Sequence, residues 1–239
     1  MWEARRLTQI PKQLGESMND LLERAERFAR VCHAGQCRKG AAKEPYTVHL
    51  EEVSSLVEKW GGSEEAIAAA WLHDTVEDCP PTSHEDLVAE FGDRVANFVA
   101  ELTDDKSLPK PKRKELQIEN AAKKTPEAAL VKLADKTSNV GAIAKSPPEG
   151  WSLARRLQYI ARAEKVVGSL PRVSEKGLPE FKRRCEQAEL QAYIDQGTER
   201  QAQNAALRIM EQKVLRANKS QECADQFLLK LMSNTLKPS

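Results

Sequence analysis

Aromatic side chains make up only 5% of the 239 residues, and the longest clean apolar run is Ala66 to Leu72. A bilayer-spanning helix needs about 20 apolar residues, so no segment reads as one. The opening MWEARRLTQIPKQLG has no apolar stretch of the kind a secretory signal requires. Cysteines are odd in number and scattered (Cys32, Cys37, Cys79, Cys185, Cys223), with no C-x-x-C pair. Neither a disulfide framework nor a thiolate zinc site follows, and a reducing cytoplasm is the simplest setting. Charge of one sign is lacking too: 37 basic against 36 acidic residues leave +1. That balance gives no electrostatic footprint for a nucleic-acid partner. With 31% charged and 40% apolar residues, the chain is too polar for a membrane protein and too apolar for a wholly disordered one. Its length is near the limit of a single core, which predicts one domain or one domain with an appendage.

Alternating β-branched runs bounded by turns are missing as well, which leaves a sheet without support. Helical periodicity is present nearly everywhere. Residues 17–34 carry Met18, Leu21, Leu22, Ala25, Phe28, Ala29 and Cys32 at i, i+3, i+4, i+7 spacing, and 49–60 repeat the pattern up to Gly61-Gly62. Ser63 caps the next helix, which runs through AIAAAWLHDTVED and ends at Pro80-Pro81. Ser83 with Asp86, and then Asp93, mark two helix starts around an FGD turn. Thr125-Pro126-Glu127 supplies a cap, a first-turn proline and an acid at the positive end of the helix dipole. The fold class is therefore all-α. Residues 104–114 read as a basic, proline-interrupted loop, and 171–179 as a boundary of turn composition. The segments expected are a lead-in at 1–16, a main helical domain at 17–172 and a C-terminal helical extension at 173–239. In the extension, Gly197 stops one helix and Thr198-x-x-Gln201 resembles a capping box for the next. Leu190, Ile194, Leu207, Met210, Val214, Phe227 and Leu231 give it an amphipathic pattern that suits packing on the domain or a homo-oligomer interface. From Glu180 onward it holds ten bases and eight acids, so it is no nucleic-acid arm.

Chemistry concentrates in HDTVED, residues 73–78. On one helix, His73 and Glu77 share a face at i, i+4, as do Asp74 and Asp78. The apolar residues just before imply burial, and burying unpaired carboxylates is costly, so a divalent cation would relieve them. His49 opens a helix upstream, and Asp135 stands in VKLADKTSN with Asn139 one turn on. Together His49, His73, Asp74 and Asp135 make a mixed nitrogen and oxygen site suited to Mn, Fe, Zn or a similar ion. Such an ion activates water and polarises a phosphoryl oxygen.

These elements resemble the HD-domain hydrolases of the RelA/SpoT type, above all their stand-alone form, the small alarmone hydrolases with their animal homologues of the MESH type. The matching blocks are HAGQCRKG (33–40), EPYTVH (44–49), AAWLHDTVEDCPPT (69–82), FGDRVANFV (91–99), LTDDKSLPKPKRK (102–114), VKLADKTSNV (131–140) and EGWSLARRLQYIARAEKVV (149–167). The resemblance implies an HD-domain helical bundle and a Mn-dependent hydrolase, other divalent metals being possible, that removes the 3′-pyrophosphate from (p)ppGpp. It places His49, His73, Asp74 and Asp135 on metal-ligand positions, and Glu77 and Asp78 on the acidic pair that activates and orients water. Arg38 and Lys39 fall near the nucleotide base, Asn139 follows the last ligand, and Lys110, Arg155 and Tyr159 hold phosphates and nucleoside. The residues beyond the boundary are too few for the synthetase domain of larger relatives. Departures are mild: Leu50 stands where many relatives have proline, and Thr137-Ser138 replace bulkier residues.

Alternatives keep the same site with another substrate, NADPH as a 2′-phosphatase or an adenine alarmone, or reduce the chain to a catalytically weak nucleotide-binding regulator. Among other residues, His33 reads as structural or as a partner that orients a ligand, and His84 as part of a solvated helix start. Trp71 and Trp151 read as core.

Overall fold

The computed structural model describes residues 18–171, 174–197, 204, 206–211 and 214. The expected lead-in 1–16, Thr198, Gln201, Phe227 and Leu231 lie outside the described residues. Helices α1 (Met18–Cys32), α2 (Tyr46–Lys59), α3 (Glu64–Leu72), α4 (Thr75–Asp78) and α5 (His84–Leu102) lead into α6 (Lys110–Glu119), α7 (Pro126–Lys145), α8 (Leu153–Ser169) and α9 (Gly177–Asp195). Among the described residues the extended pairing is limited to two isolated bridges, Cys37 with Pro45 and Gly40 with Pro148. None of the helices is long and apolar enough to cross a membrane.

Several helix starts follow their sequence signals. Ser63 Oγ accepts from Ala66 N, Thr125 Oγ1 accepts from Ala128 N behind Pro126, and Ser83 with Asp86 forms a reciprocal capping box. The FGD turn is a break inside α5, where Gly92 takes φ 82° and ψ 165°. A glycine suits that left-handed position because it has no Cβ to clash.

Two expectations need correcting. The stretch read as a loop at 104–114 turns helical at Lys110, because Pro109 caps α6 and Pro111 sits in its first turn, where a missing N–H costs nothing. The single helix expected through HDTVED is two: α3 ends at Leu72 and α4 begins at Thr75. Thr75 Oγ1 donates to the Leu72 carbonyl at 2.7 Å across that joint, and Asp74 has φ −106° and ψ −1°.

Alanine-rich α3 is the hub, packing on α1, α2, α5 and α7. Ala66 and Ala70 face a core of Val53, Val57, Trp60, Val131 and Leu133 from α2 and α7, joined by Ile160 of α8 and Phe181 of α9. Ala68, Ala69 and Leu72 face a second core with Ala25, Ala29, Leu87, Val95 and Val99 from α1 and α5. A helix apolar all round is buried all round, and methyl side chains let its neighbours approach closely.

The chain divides into two compact units, one reaching Ala188 and one from Glu189 onward. Beyond the boundary expected at 171–179, Phe181, Cys185 and Ala188 of α9 are buried in the α2–α7 core. In the second unit α9 ends at Asp195, followed by Gly197 at φ 64°, the left-handed conformation of a helix stop. Because Phe181 is 2% exposed, Phe181→Ala should cost about 3–5 kcal/mol of stability, read by urea unfolding of the full chain. A loss below about 1 kcal/mol would show that α9 is not part of the core.

Candidate functional site: a histidine and aspartate cluster in a basic cleft

The break between α3 and α4 turns His73 and Asp74 toward α2 and α7, where they meet His49 and Asp135. His49, His73 and Asp135 each offer a ligand atom, all within 4.8 Å of one another, and all three residues are buried. Asp74 Oδ2 lies 3.0 Å from His73 Nε2 and 3.8 Å from His49 Nε2, while Asp135 Oδ1 lies 3.7 Å from His49 Nε2. Donor atoms about 2.0–2.2 Å from a shared ion lie roughly 3–4 Å apart, so this spacing fits a divalent cation.

The outer partners of the two rings point the same way. His73 Nδ1 donates to the Ala70 carbonyl at 2.8 Å, and His49 Nδ1 lies 2.9 Å from Ser138 Oγ. Both Nε2 atoms are therefore left facing the cluster. His73 Nε2 is buried without an aligned hydrogen bond, its ion-pair distance to Asp74 notwithstanding. An orphaned imidazole nitrogen beside carboxylate oxygens suits a metal. Burial first, then the charges of His73 and Arg38, hold the His49 pKa down to about 3, so the ring is neutral. At His73 burial opposes charge, but Asp74 and Asp135 outweigh it and raise the pKa.

The carboxylates are held from behind. Tyr46 Oη donates to Asp74 Oδ2 at 2.6 Å, and Lys136 Nζ donates to Asp135 Oδ2 at 3.0 Å with Lys132 Nζ at 3.5 Å. Asn139 donates to Asp135 Oδ1 and accepts from Arg38 Nη2 at 2.9 Å. Burial works against ionised Asp135, yet the two lysines hold its pKa well below the usual range. Burial likewise opposes charge on Asp74, and His73 and His49 outweigh it. Lys132, Lys136 and Tyr46 were missed in the sequence. Each lysine lies within four residues of a proposed ligand, but nothing in VKLADK distinguishes a buried lysine from a solvated one.

Asp74 and Asp135 line a cleft of about 510 Å³, with the two imidazoles buried beside them. Glu77 and Asp78 line it from α4. Glu77 accepts from the Asp104 N–H at 3.2 Å and lies 3.8 Å from Arg113, while Asp78 pairs with Lys106. Burial, reinforced by the charge of Asp104, raises the Glu77 pKa. Arg38 and Lys39 enter on the loop before α2, Lys110 from the start of α6, and Arg155 and Tyr159 from α8. Of the residues assigned to the site from the sequence, all but His49 and His73 line one cavity, and those two rings are buried beside Asp74. Trp151 is the exception to its reading as core. It is half-buried at the cleft wall, its ring 5.5 Å from that of Tyr159 and 5.0 Å from the Arg155 guanidinium. Trp71 is core, and His33 stacks on Tyr46 at 4.9 Å. His84 is half-buried at the start of α5, 3.2 Å from Asn97.

Helices α2 and α7 and the joint between α3 and α4 bring together a His, His-Asp and Asp set that could hold a metal on an all-helical scaffold, and the chain belongs to the HD domain family, whose model matches residues 25–160. It is 46% identical over 145 residues to the guanosine-3′,5′-bis(diphosphate) 3′-pyrophosphohydrolase MESH1 of Drosophila melanogaster, covering 60% of this chain and 80% of that one. To the Homo sapiens MESH1 it is 42% identical over 159 residues, covering 66% and 88%. A solved structure, of a metazoan orthologue of SpoT that hydrolyses ppGpp and plays a role in starvation responses, superposes with a TM-score of 0.67. Its identity is 38%, with 73% of this chain and 98% of that chain covered.

If the cluster holds a metal, Asp135→Asn should lose the ion while the chain still folds. The measurement is metal content by mass spectrometry after loading with Mn, alongside circular dichroism. Undiminished metal in the folded variant would remove Asp135 from the ligand set.

Proposed function

We propose that the chain hydrolyses ppGpp and pppGpp at the 3′ position, releasing pyrophosphate and GDP or GTP, with Mn as the working ion and without synthetase activity. The observation that carries this reading is the His49, His73, Asp74 and Asp135 cluster, whose two carboxylates line a cation-rich cleft. The relatives named above, matched over most of their length, supply the substrate class.

A divalent cation bound there supplies a Lewis acid for a phosphoryl oxygen and makes water nucleophilic at neutral pH. Glu77, held at one oxygen by the Asp104 N–H with Arg113 3.8 Å from the other, takes the proton of the attacking water, and Asp78, steadied by Lys106, orients it. Water adds to the phosphorus joined to the 3′ oxygen, and that P–O bond breaks. The 3′ oxygen leaves and takes up the proton held by Glu77, so that GDP or GTP with a free 3′-hydroxyl and pyrophosphate bearing the water oxygen are released. Lys110 and Arg155 gather phosphates at the rim, Lys39 stands with Arg38 toward the base, and buried Lys132 and Lys136 add fixed positive charge below. Tyr159 and Trp151 offer an aromatic wall for the nucleoside, with Arg38 and Asn139 beside it. The four free cysteines among the described residues suit a reducing cytoplasm. The residues beyond α8 are proposed to act as an accessory helical unit, with self-association as their other use.

Metal-loaded protein should be assayed with ppGpp, pppGpp, ppApp and NADPH, products being resolved by ion exchange. The pyrophosphate substrates bring more charge to the basic rim than a single 2′-phosphate does, so ppGpp should show the higher kcat/KM. A clear preference for NADPH would reverse the ranking, and turnover of none would leave a nucleotide-binding regulator.

Glu77→Gln should retain metal while kcat falls roughly 100-fold or more. The raised pKa sets the sign of the pH response: the base is ionised above that pKa, so kcat is lost as pH falls through it. Asp104→Asn, which removes the neighbouring charge, should move this acid limb to lower pH. An unmoved limb would assign it to another group.

A further inference from the structure

Ser138 Oγ is the junction of a hydrogen-bond chain that leads away from the cleft. It lies 2.9 Å from His49 Nδ1 and donates its own proton to Glu52 Oε2 at 2.6 Å. The other oxygen of Glu52 accepts from Arg184 Nη1 at 2.5 Å. A hydroxyl has one proton to give, and here it is committed to the carboxylate. Only lone pairs remain for His49 and for Arg38 Nη1, which approaches the same oxygen at 3.4 Å. His49 Nδ1 must therefore carry a proton, which leaves the Nε2 lone pair facing Asp74 and Asp135. Burial opposes charge on Glu52, but the hydrogen bonds from Ser138 and Arg184 outweigh it and hold the carboxyl below its usual range.

We propose that Glu52 and Arg184 are positioning residues for the metal centre, acting through Ser138 to hold His49 in the tautomer and orientation that bind a divalent cation. The inference rests on the metal reading above. The two imidazoles are anchored by different means. His73 leans on a backbone carbonyl of its own helix, an anchor no side-chain change removes. His49 leans on three side chains in series, the last of them on α9, beyond the 25–160 span of the HD domain match. Metal affinity is thereby coupled to the docking of α9. Ser138 is one of the two positions noted in the sequence as smaller than the family block, and only a small hydroxyl residue makes this junction.

Gly141, one turn after Ser138 on α7, leaves the room that Arg184 occupies. A Cβ there would lie 2.6 Å from Arg184 Nη1 and 3.2 Å from its Cδ. Gly141→Ala would thus displace the guanidinium from Glu52 while keeping its charge, and alanine favours the helix. This variant separates positioning from stability, which Arg184→Ala alone would not.

The test is titration of metal-stripped, full-length protein with Mn alone, free ion being read by electron paramagnetic resonance, alongside thermal melting of the metal-free proteins. Glu52→Ala should weaken Mn binding roughly 10–100-fold. Gly141→Ala should weaken it by roughly tenfold without lowering the metal-free Tm, and Arg184→Lys should retain more affinity than Arg184→Ala. Mn affinity within twofold of wild type in folded Gly141→Ala and Glu52→Ala would overturn the proposal. Should Glu52→Ala fail to fold, Gly141→Ala decides alone. Wild-type protein that binds no divalent cation would overturn the metal reading and this inference with it. Wild-type protein that binds Mn, with Asp135→Asn that does not, would leave the metal reading standing whichever way the relay falls.

Discussion

Two carboxylates, Asp74 and Asp135, are held among apolar helices, and the architecture of the site follows from that constraint. An ionised carboxylate removed from water costs several kcal/mol unless charge and hydrogen bonds replace its hydration. Here the replacement is nearly complete. Asp135 meets two buried lysines, an asparagine and an imidazole, and Asp74 meets a tyrosine hydroxyl and two imidazoles. These partners come from α2, α7 and the joint between α3 and α4. Loss of any one of those elements would leave a buried charge short of a partner.

Close approach of those elements depends on α3. Its alanines put neighbouring helices near enough that His49 and Asp135, on different helices, lie 3.7 Å apart. The break after Leu72 then does what a continuous helix would not. Continued to Asp78, α3 would have carried His73 and Asp74 around its axis by about 100° per residue, away from one another. Ending it lets both turn inward while Asp78 N still bonds to the Asp74 carbonyl at 2.8 Å. Metal-type donors and the acids Glu77 and Asp78 therefore sit on one short stretch, with Asp74, Glu77 and Asp78 lining the cleft and His73 buried beside Asp74.

Much of this was legible in the sequence where local chemistry governs. Caps at Ser63, Ser83 and Thr125, the kink at Gly92 and the convergence of His49, His73, Asp74 and Asp135 all follow from residue type and spacing. The misreadings share a cause, which is that tertiary surroundings decided. Helical spacing in HDTVED holds equally for one helix or two, and the joint is selected by Thr75 bonding back to Leu72 and by Asp74 finding Tyr46. Pro109 and Pro111 look like loop residues until their place in the first turn of α6 is known. Trp151 has the profile of a core residue, yet it lies beside Arg155 and Tyr159 on the cleft wall.

The span matched by the HD domain model is also shorter than the span that supports the site. The HD domain match closes at residue 160, but Phe181 completes the core behind α2 and α7, and Arg184 reaches Glu52 on α2 from the same helix face one turn later. Apolar burial and a charge-assisted hydrogen bond, three residues apart on α9, thus fix the same helix against the same wall. The wall is the back of the ligand-bearing helices: Ser138 on α7 and Glu52 on α2 each lie within three residues of a proposed ligand. A helix beyond the HD domain match is in this way continuous with the inside of the site, through bonds that a comparison of the motif residues alone would not reveal.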